Sequence, residues 1–167
     1  MNQAFSPPQS ARARLRCQWE RFSEIANELL VLSRLQRAEV GEDYEPYSPD
    51  WNLYFSFDRA GSCAVWTART IEGGSLAGYV IWLTVRGLHS VESIFAKADL
   101  VYLLPEWRDG LTGYRFLKSA VAAVEARQPD FIHVETNDLY KGGRMGVLLK
   151  RLGFRRIGSV WQRGREH

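Results

Sequence analysis

The segment Pro105-Glu106-Trp107-Arg108-Asp109-Gly110-Leu111-Thr112-Gly113 joins an apolar strand to an apolar helix, and its residue types suit the capture of a polyphosphate. A helix start leaves its first backbone N–H groups without intrahelical partners and carries a partial positive charge, so glycines there let a phosphate approach the amides closely. Gly110 and Gly113 read as plain turn residues or as points of close ligand approach. The second reading explains why a glycine is kept in the first turn of a good helix, where it costs roughly 1 kcal/mol against alanine. Arg108 either meets the phosphate directly or ends the turn and points to water. Thr112 offers a hydroxyl to the same phosphate or caps the helix. Asp109 and Leu111 complete the turn, and Arg115 adds charge from the first full turn.

Acid–base candidates lie just upstream. Asp99 opens the apolar run Leu100-Val101-Tyr102-Leu103-Leu104. An unpaired carboxylate is expensive to bury there. Asp99 therefore reads as a general base or as a solvated strand end paired with a lysine such as Lys97. Histidine titrates near neutrality, which makes His89 a second candidate against the commoner reading of a surface residue, and Glu92 is a third. His133 alternates with Ile132 and Val134, so it faces away from them as a hydrogen-bonded sheet residue. Cys17 and Cys63 form no CxxC and lie far apart, which gives a disulfide framework or a zinc site no support. No metal is expected.

These residues need a sheet and helices to hold them. The spread of apolar residues over 167 residues, 46% hydrophobic and 25% charged, reads as one α/β domain over 11–167 behind a loose Pro-containing leader, 1–10. Leu15, Trp19, Phe22, Ile25, Ala26, Leu29, Leu30 and Leu32 recur at helical spacing and predict a long helix, broken at most once, that stops before Gly41. Residues 41–50 form an acidic, aromatic loop, and Ser48 with Pro49 caps a short helix through Trp51, Tyr54 and Phe55. The aromatics of 44–55 read as core or as a wall for an acceptor. Cys63–Arg69 and Leu76–Val85 form a hairpin through Glu72-Gly73-Gly74, whereas 86–98 has no clear pattern. Asp99–Leu104, a helix from Leu111 to the Gln128-Pro129 pair, and Phe131–Glu135 make a right-handed strand–helix–strand unit with parallel strands. A second helix through Met145 and Leu152 closes at Gly153, and Phe154–Trp161 is the last strand.

In this order, hairpin, buried strand ending Leu-Pro-Glu-Trp-Arg, glycine turn, helix, strand, and a helix ending Leu148-Leu149-Lys150-Arg151-Leu152-Gly153-Phe154, the chain resembles the GCN5-related N-acetyltransferase (GNAT) superfamily over residues 60–162. The N-terminal part, with its Pro-Asp-Trp loop, looks like GNAT-like proteins encoded by some tailed bacteriophages. The resemblance implies a mixed, mostly antiparallel sheet with helices on both faces, splayed between Asp99–Leu104 and Phe131–Glu135, with acetyl-CoA wedged in the opening. It implies that turn 108–113 clamps the pyrophosphate, that the backbone around Val101 and Leu103 pairs with the pantetheine arm, and that Asn137 contacts the cofactor. An amine acceptor, deprotonated by a base or through water, attacks the acetyl carbonyl directly.

Two positions depart from the family's pattern. Leu111 stands where the middle glycine is expected, with Gly110 one place early, and Leu149 stands where a tyrosine often protonates the departing thiolate. Tyr140 or Tyr114 then fills that role, or CoA leaves unassisted. The alternative to an enzyme is a GNAT-fold binding protein or virion-associated structural protein.

The net charge of +3 is concentrated in Arg12, Arg14, Arg16, Arg155, Arg156, Arg163 and Arg165, and no nucleic-acid-binding motif accompanies it. No run reaches the roughly twenty apolar residues of a membrane helix, and the first residues lack the blocks of a signal peptide, so a cytoplasmic protein, or one of a virion, is expected. The acceptor's identity and the choice between monomer and homodimer are not encoded in any recognisable motif.

Overall fold

The computed structural model describes residues 14–40, 48–87, 89–136 and 143–158. They belong to two compact units, 1–135 and 136–167, taken here in turn. In the first, five strands lie in sequence order: β1 (Leu15–Glu20), β2 (Cys63–Thr70), β3 (Leu76–Gly87), β4 (Ser90–Leu103) and β5 (Phe131–Val134). Neighbours are antiparallel except β4 and β5, which run parallel. α1 (Phe22–Val40) and α2 (Trp51–Arg59) cover one face; α3 (Thr112–Glu125) covers the other.

The central strand β3 shows why the fold has two cores. Tyr79 and Ile81 pack beneath Phe22, Ile25, Leu29 and Leu32 of α1, a stripe at helical spacing. Val80 and Trp82 point the other way, onto Phe116, Ala120 and Val124 of α3. A strand covered on both faces reads as a continuous apolar run, as Tyr79-Val80-Ile81-Trp82-Leu83 does.

The long helix expected from Arg12 onward is a strand followed by a helix. Leu15, Cys17 and Trp19 fit period 2 as well as the helical period. The sheet decides the matter, because β2 needs a partner on its outer edge and pairs with all of β1 from Leu15↔Thr70 to Glu20↔Val65. Those three side chains pack on the α3 face, while Phe22 opens α1 on the other. Arg69 ties the junction together, bonding Glu20 at 2.9 Å, Glu28 at 2.8 Å and the Gly74 carbonyl at 2.8 Å. α2 is capped not by Ser48 but by Asp50, the residue directly before Trp51, whose carboxylate accepts from Leu53 N–H at 3.0 Å.

Asp58, near the end of α2, holds the start of α1. Burial opposes its charge, but hydrogen bonds from Ser23 and the Arg21 guanidinium at 3.2 Å outweigh it and keep the carboxyl below its usual range. With the folded value below the unfolded one of about 4, the stabilisation is complete above that pH and is lost as pH falls through the folded value. Asp58→Asn is thus expected to lower unfolding free energy by about 1–2 kcal/mol at pH 7. In urea melts the difference from wild type should shrink below pH ~4; a constant difference would contradict this.

The stretch 86–98, patternless in sequence, belongs to β4, a 14-residue strand that folds back on β3. Gly78 lies opposite Leu103, where an added Cβ would come within 2.6 Å of Leu103 Cδ1 and 2.8 Å of the Tyr102 carbonyl. Backbone cannot yield as a side chain tip can, so Gly78→Ala should destabilise by about 1–3 kcal/mol. An unchanged denaturation midpoint would show that β3 and β4 can separate there.

In the second unit, α4 (Arg144–Arg151) ends as expected at Gly153, whose φ is +86°. The Phe154 amide bonds the Leu149 carbonyl at 3.0 Å and the Gly153 amide that of Lys150 at 3.1 Å, a Schellman closure. Residues 154–158 are not a strand, contrary to the expectation for 154–161; the rest of that segment lies outside the described residues. Among the described residues no helix is long and apolar enough to cross a membrane.

Candidate active site

Asp99 does not open a strand; it interrupts one. Ile81 pairs with Leu100 and Trp82 with Ala98, so Asp99 is an extra residue without a cross-strand partner, a β-bulge. The bulge changes which residues face which way. Before it Ala96 and Ala98 face α3, after it Val101 and Leu103 do, and Leu100 turns to the α1–α2 face. Asp99 points to that same face, where it accepts a hydrogen bond from Tyr54 Oη of α2. Its partner is Tyr54 and not Lys97, which pairs with Glu135 at 2.8 Å.

The bulge also marks where the sheet opens. β5 pairs with β4 from Phe95↔Phe131 to Ala98↔Val134, and among the described residues no strand pairs with 99–103 on that side. The splay expected between these strands is therefore present. Two carbonyls along the opened stretch are held by side chains: Val101 O accepts from Gln36 Nε2 at 3.2 Å, and Leu103 O from Arg108 Nε at 2.6 Å. Gln36 is oriented in turn by Tyr79 Oη, 2.7 Å from its Oε1.

Beyond Leu103 the chain makes a 3-10 turn, Pro105–Trp107, and reaches α3 through Arg108–Leu111. Gly110 has φ +60°, the left-handed region that side-chain-bearing residues avoid, so the turn itself accounts for this glycine one place early. Gly113 has no such reason. Its φ is ordinary, and an added Cβ would meet nothing nearer than the Arg108 carbonyl at 3.9 Å. Packing among the described residues does not require glycine there. The amides of Gly113 and Tyr114 take no partner among the described residues. Leu111 is the N-cap and makes no side-chain cap, so Thr112 begins the helix and does not cap it.

Arg108 is directed inward. Its guanidinium forks onto Glu39 of α1, with Nη2 2.7 Å from Oε2, and lies 5.1 Å from the centre of the Tyr102 ring. It fixes the turn between strand and helix. Asp109 and Leu111 are exposed on that turn.

Cys63, at the start of β2, lies near this centre. Burial, then the negative charges of Asp58 and Asp99, push its thiol up to about 12. A thiol held protonated is a poor nucleophile.

Other candidates are not gathered here. His89 is in the exposed tip of the β3–β4 hairpin, with Glu92 beside it, roughly 30 Å of extended chain from Asp99. His133 of β5 lies beside Phe95 of β4, ring centres 5.1 Å apart and planes tilted by 57°. Tyr114 is half-buried in the first turn of α3. Asn137 and Tyr140 lie outside the described residues. Gln36, Glu39 and the specific role of Tyr54 were not foreseen, because each acts on a residue at least 45 positions away.

The described strands and helices form a mixed, mostly antiparallel α/β fold with one parallel pair, the fold of solved acetyltransferases. Solved structures of this fold align with nearly the whole chain. An aminoglycoside acetyltransferase from an uncultured soil metagenomic sample superposes with a TM-score of 0.67, covering 91% of this chain and 99% of its own at 14% identity. A predicted acetyltransferase from Clostridium acetobutylicum, solved with acetyl-CoA, gives 0.63, with 90% and 96% covered at 14% identity. A ribosomal-protein-alanine N-acetyltransferase from Brucella melitensis biovar Abortus 2308 gives 0.61, with 90% and 99% covered at 16% identity. No family model and no curated protein matches the sequence.

Proposed function

We propose that this protein is an acetyl-CoA-dependent N-acetyltransferase that moves an acetyl group directly to a primary amine. The observation that carries this reading is the bulge: at the point where β4 leaves β5, it places the Asp99 carboxylate beside the opened strand. The amides of Gly113 and Tyr114, unpartnered among the described residues, and the hydroxyl of Thr112 would hold the pyrophosphate, with Asp109, Gly110 and Leu111 shaping the turn and Arg108 locking it to α1 and β4. The backbone amides of Val101 and Leu103, whose carbonyls are held by Gln36 and Arg108, would meet the pantetheine arm, and the family resemblance gives Asn137 a cofactor contact. When bound, acetyl-CoA supplies an activated acetyl carbonyl.

Asp99 takes a proton from the acceptor's ammonium group and so frees the nitrogen lone pair for attack; the second nitrogen proton, shed as the C–N bond forms and the C–S bond breaks, passes to solvent or to the departing thiolate. The helix start and its amides stabilise negative charge on the phosphates. Leu149 carries no proton to give, so Tyr140 or Tyr114 acts as acid, or the thiolate leaves unaided. Acceptors of the structural neighbours, an aminoglycoside and the alanine of a ribosomal protein by their names, are both amines. They support the class of acceptor and no particular one.

A binding or virion-associated structural protein on the same fold is the second reading. It is favoured by Leu149 and by the commitment of Arg108 to Glu39. Incubation of the protein with acetyl-CoA and a panel of aminoglycosides, polyamines and peptides with free N-termini, with free CoA thiol as the readout, separates the two. Amine-dependent thiol release is the expected result; none with any amine, from a protein that binds acetyl-CoA, would establish the second reading.

A further inference from the structure

We infer that Tyr54 is the positioning residue for the carboxylate of Asp99, an assignment that rests on the acyl-transfer reading above. A bulged residue lacks the cross-strand partner that fixes its neighbours, so the direction of the Asp99 side chain must be set by something else. Tyr54 is that anchor. Its ring stacks on the fully buried Phe22, centres 5.1 Å apart and planes 12° from parallel, and Trp51 lies at 5.8 Å. The helix beneath it is pinned at both ends, by the Asp50 cap and by the Asp58–Arg21 pair. The ring therefore has one place to be, and its hydroxyl meets Asp99 Oδ2.

An ionised carboxylate only accepts hydrogen bonds. With Oδ2 committed to the phenol, Oδ1, which takes no donor among the described residues, is left to receive the amine's proton. Tyr54 thus decides which oxygen works and where it points, without touching the substrate itself.

Tyr54→Phe keeps the stacked ring and removes only the hydroxyl, so the variant should fold and bind acetyl-CoA with wild-type affinity. The test is a double-mutant cycle of Tyr54→Phe and Asp99→Asn, assayed at pH 7 with two amines: a primary alkylamine, protonated at that pH, and an aniline, already neutral. With the alkylamine, Tyr54→Phe should lower kcat by about 10- to 100-fold with the KM for acetyl-CoA unchanged. With the aniline, which needs no base to expose its lone pair, the loss should be under about threefold. In the Asp99→Asn background, Tyr54→Phe should cost almost nothing further, since a residue that acts through another adds no effect once that other is gone.

Equal losses for both amines, or a full second loss in the Asp99→Asn background, would make Tyr54 a packing residue and overturn the inference while leaving acyl transfer intact. Absence of turnover by the wild-type protein with either amine and with the wider panel would overturn acyl transfer itself, and this role of Tyr54 with it.

Discussion

Gly113→Glu is expected to abolish acetyl-CoA binding in a protein that is as stable as wild type or more so. The added side chain meets open space, the position has an ordinary φ, and replacing glycine in the first turn of a helix removes a cost of roughly 1 kcal/mol. A carboxylate near a helix start is itself favourable. The property that stabilises the variant is the one that blocks the ligand, because the glutamate occupies the amides and the positive end of α3 that a pyrophosphate needs. A loss of affinity of at least 100-fold, about 2.7 kcal/mol, is expected by calorimetric titration, together with a thermal midpoint at or above the wild-type value. Unchanged affinity would remove the phosphate site from the head of α3. Gly113→Ala provides the comparison: with a methyl group in open space it should bind more weakly than wild type and far better than the glutamate variant.

Asp99→Asn should separate binding from turnover. The amide has nearly the shape of the carboxylate and can keep a contact with Tyr54, so the bulge and acetyl-CoA affinity should persist. It cannot take a proton from an ammonium, and general-base catalysis of this kind typically contributes 10²–10⁴-fold. A fall in kcat of that order with alkylamine acceptors, with acetyl-CoA affinity within about twofold, is the expected outcome. Wild-type turnover in this variant would mean that water or another group removes the proton and that Asp99 serves only the geometry of the bulge.

Local pattern carried much of the architecture. The hairpin of β2 and β3, the apolar face of α3, the short strand β5 and the glycine closing α4 each follow from periodicity or from a single turn residue, and each was legible in the sequence. The start of the chain was not, because Leu15, Cys17 and Trp19 satisfy a strand and a helix equally. Only the bare edge of β2, some 45 residues later, decides between them. The bulge was hidden for a related reason. A one-residue shift of register exists only in relation to the partner strand, so Asp99 reads from sequence as the head of a strand when it is an insertion within one.

The candidate site divides along the same line. Gly110 and Gly113 stand together in sequence as a turn signal but differ in structure: Gly110 has a positive φ that its turn requires, and Gly113 has an ordinary backbone with open space above it. The partners that orient the site, Tyr54 on Asp99, Glu39 on Arg108 and Gln36 on Val101, come from α1 and α2, and nothing in their local sequence announces them. Gln36 and Glu39 are one helical turn apart, so they share the face of α1 that lies along the opened edge of β4. This relation becomes visible only once the strand they meet is known.

The central claim, that the opening between β4 and β5 and the head of α3 form an acyl-CoA site, is tested most directly by calorimetric titration of the protein with acetyl-CoA, with Gly113→Glu as the control. The account predicts a single site of micromolar or tighter affinity that the glutamate variant lacks. No heat of binding at millimolar acetyl-CoA, or equal binding by both proteins, would contradict it.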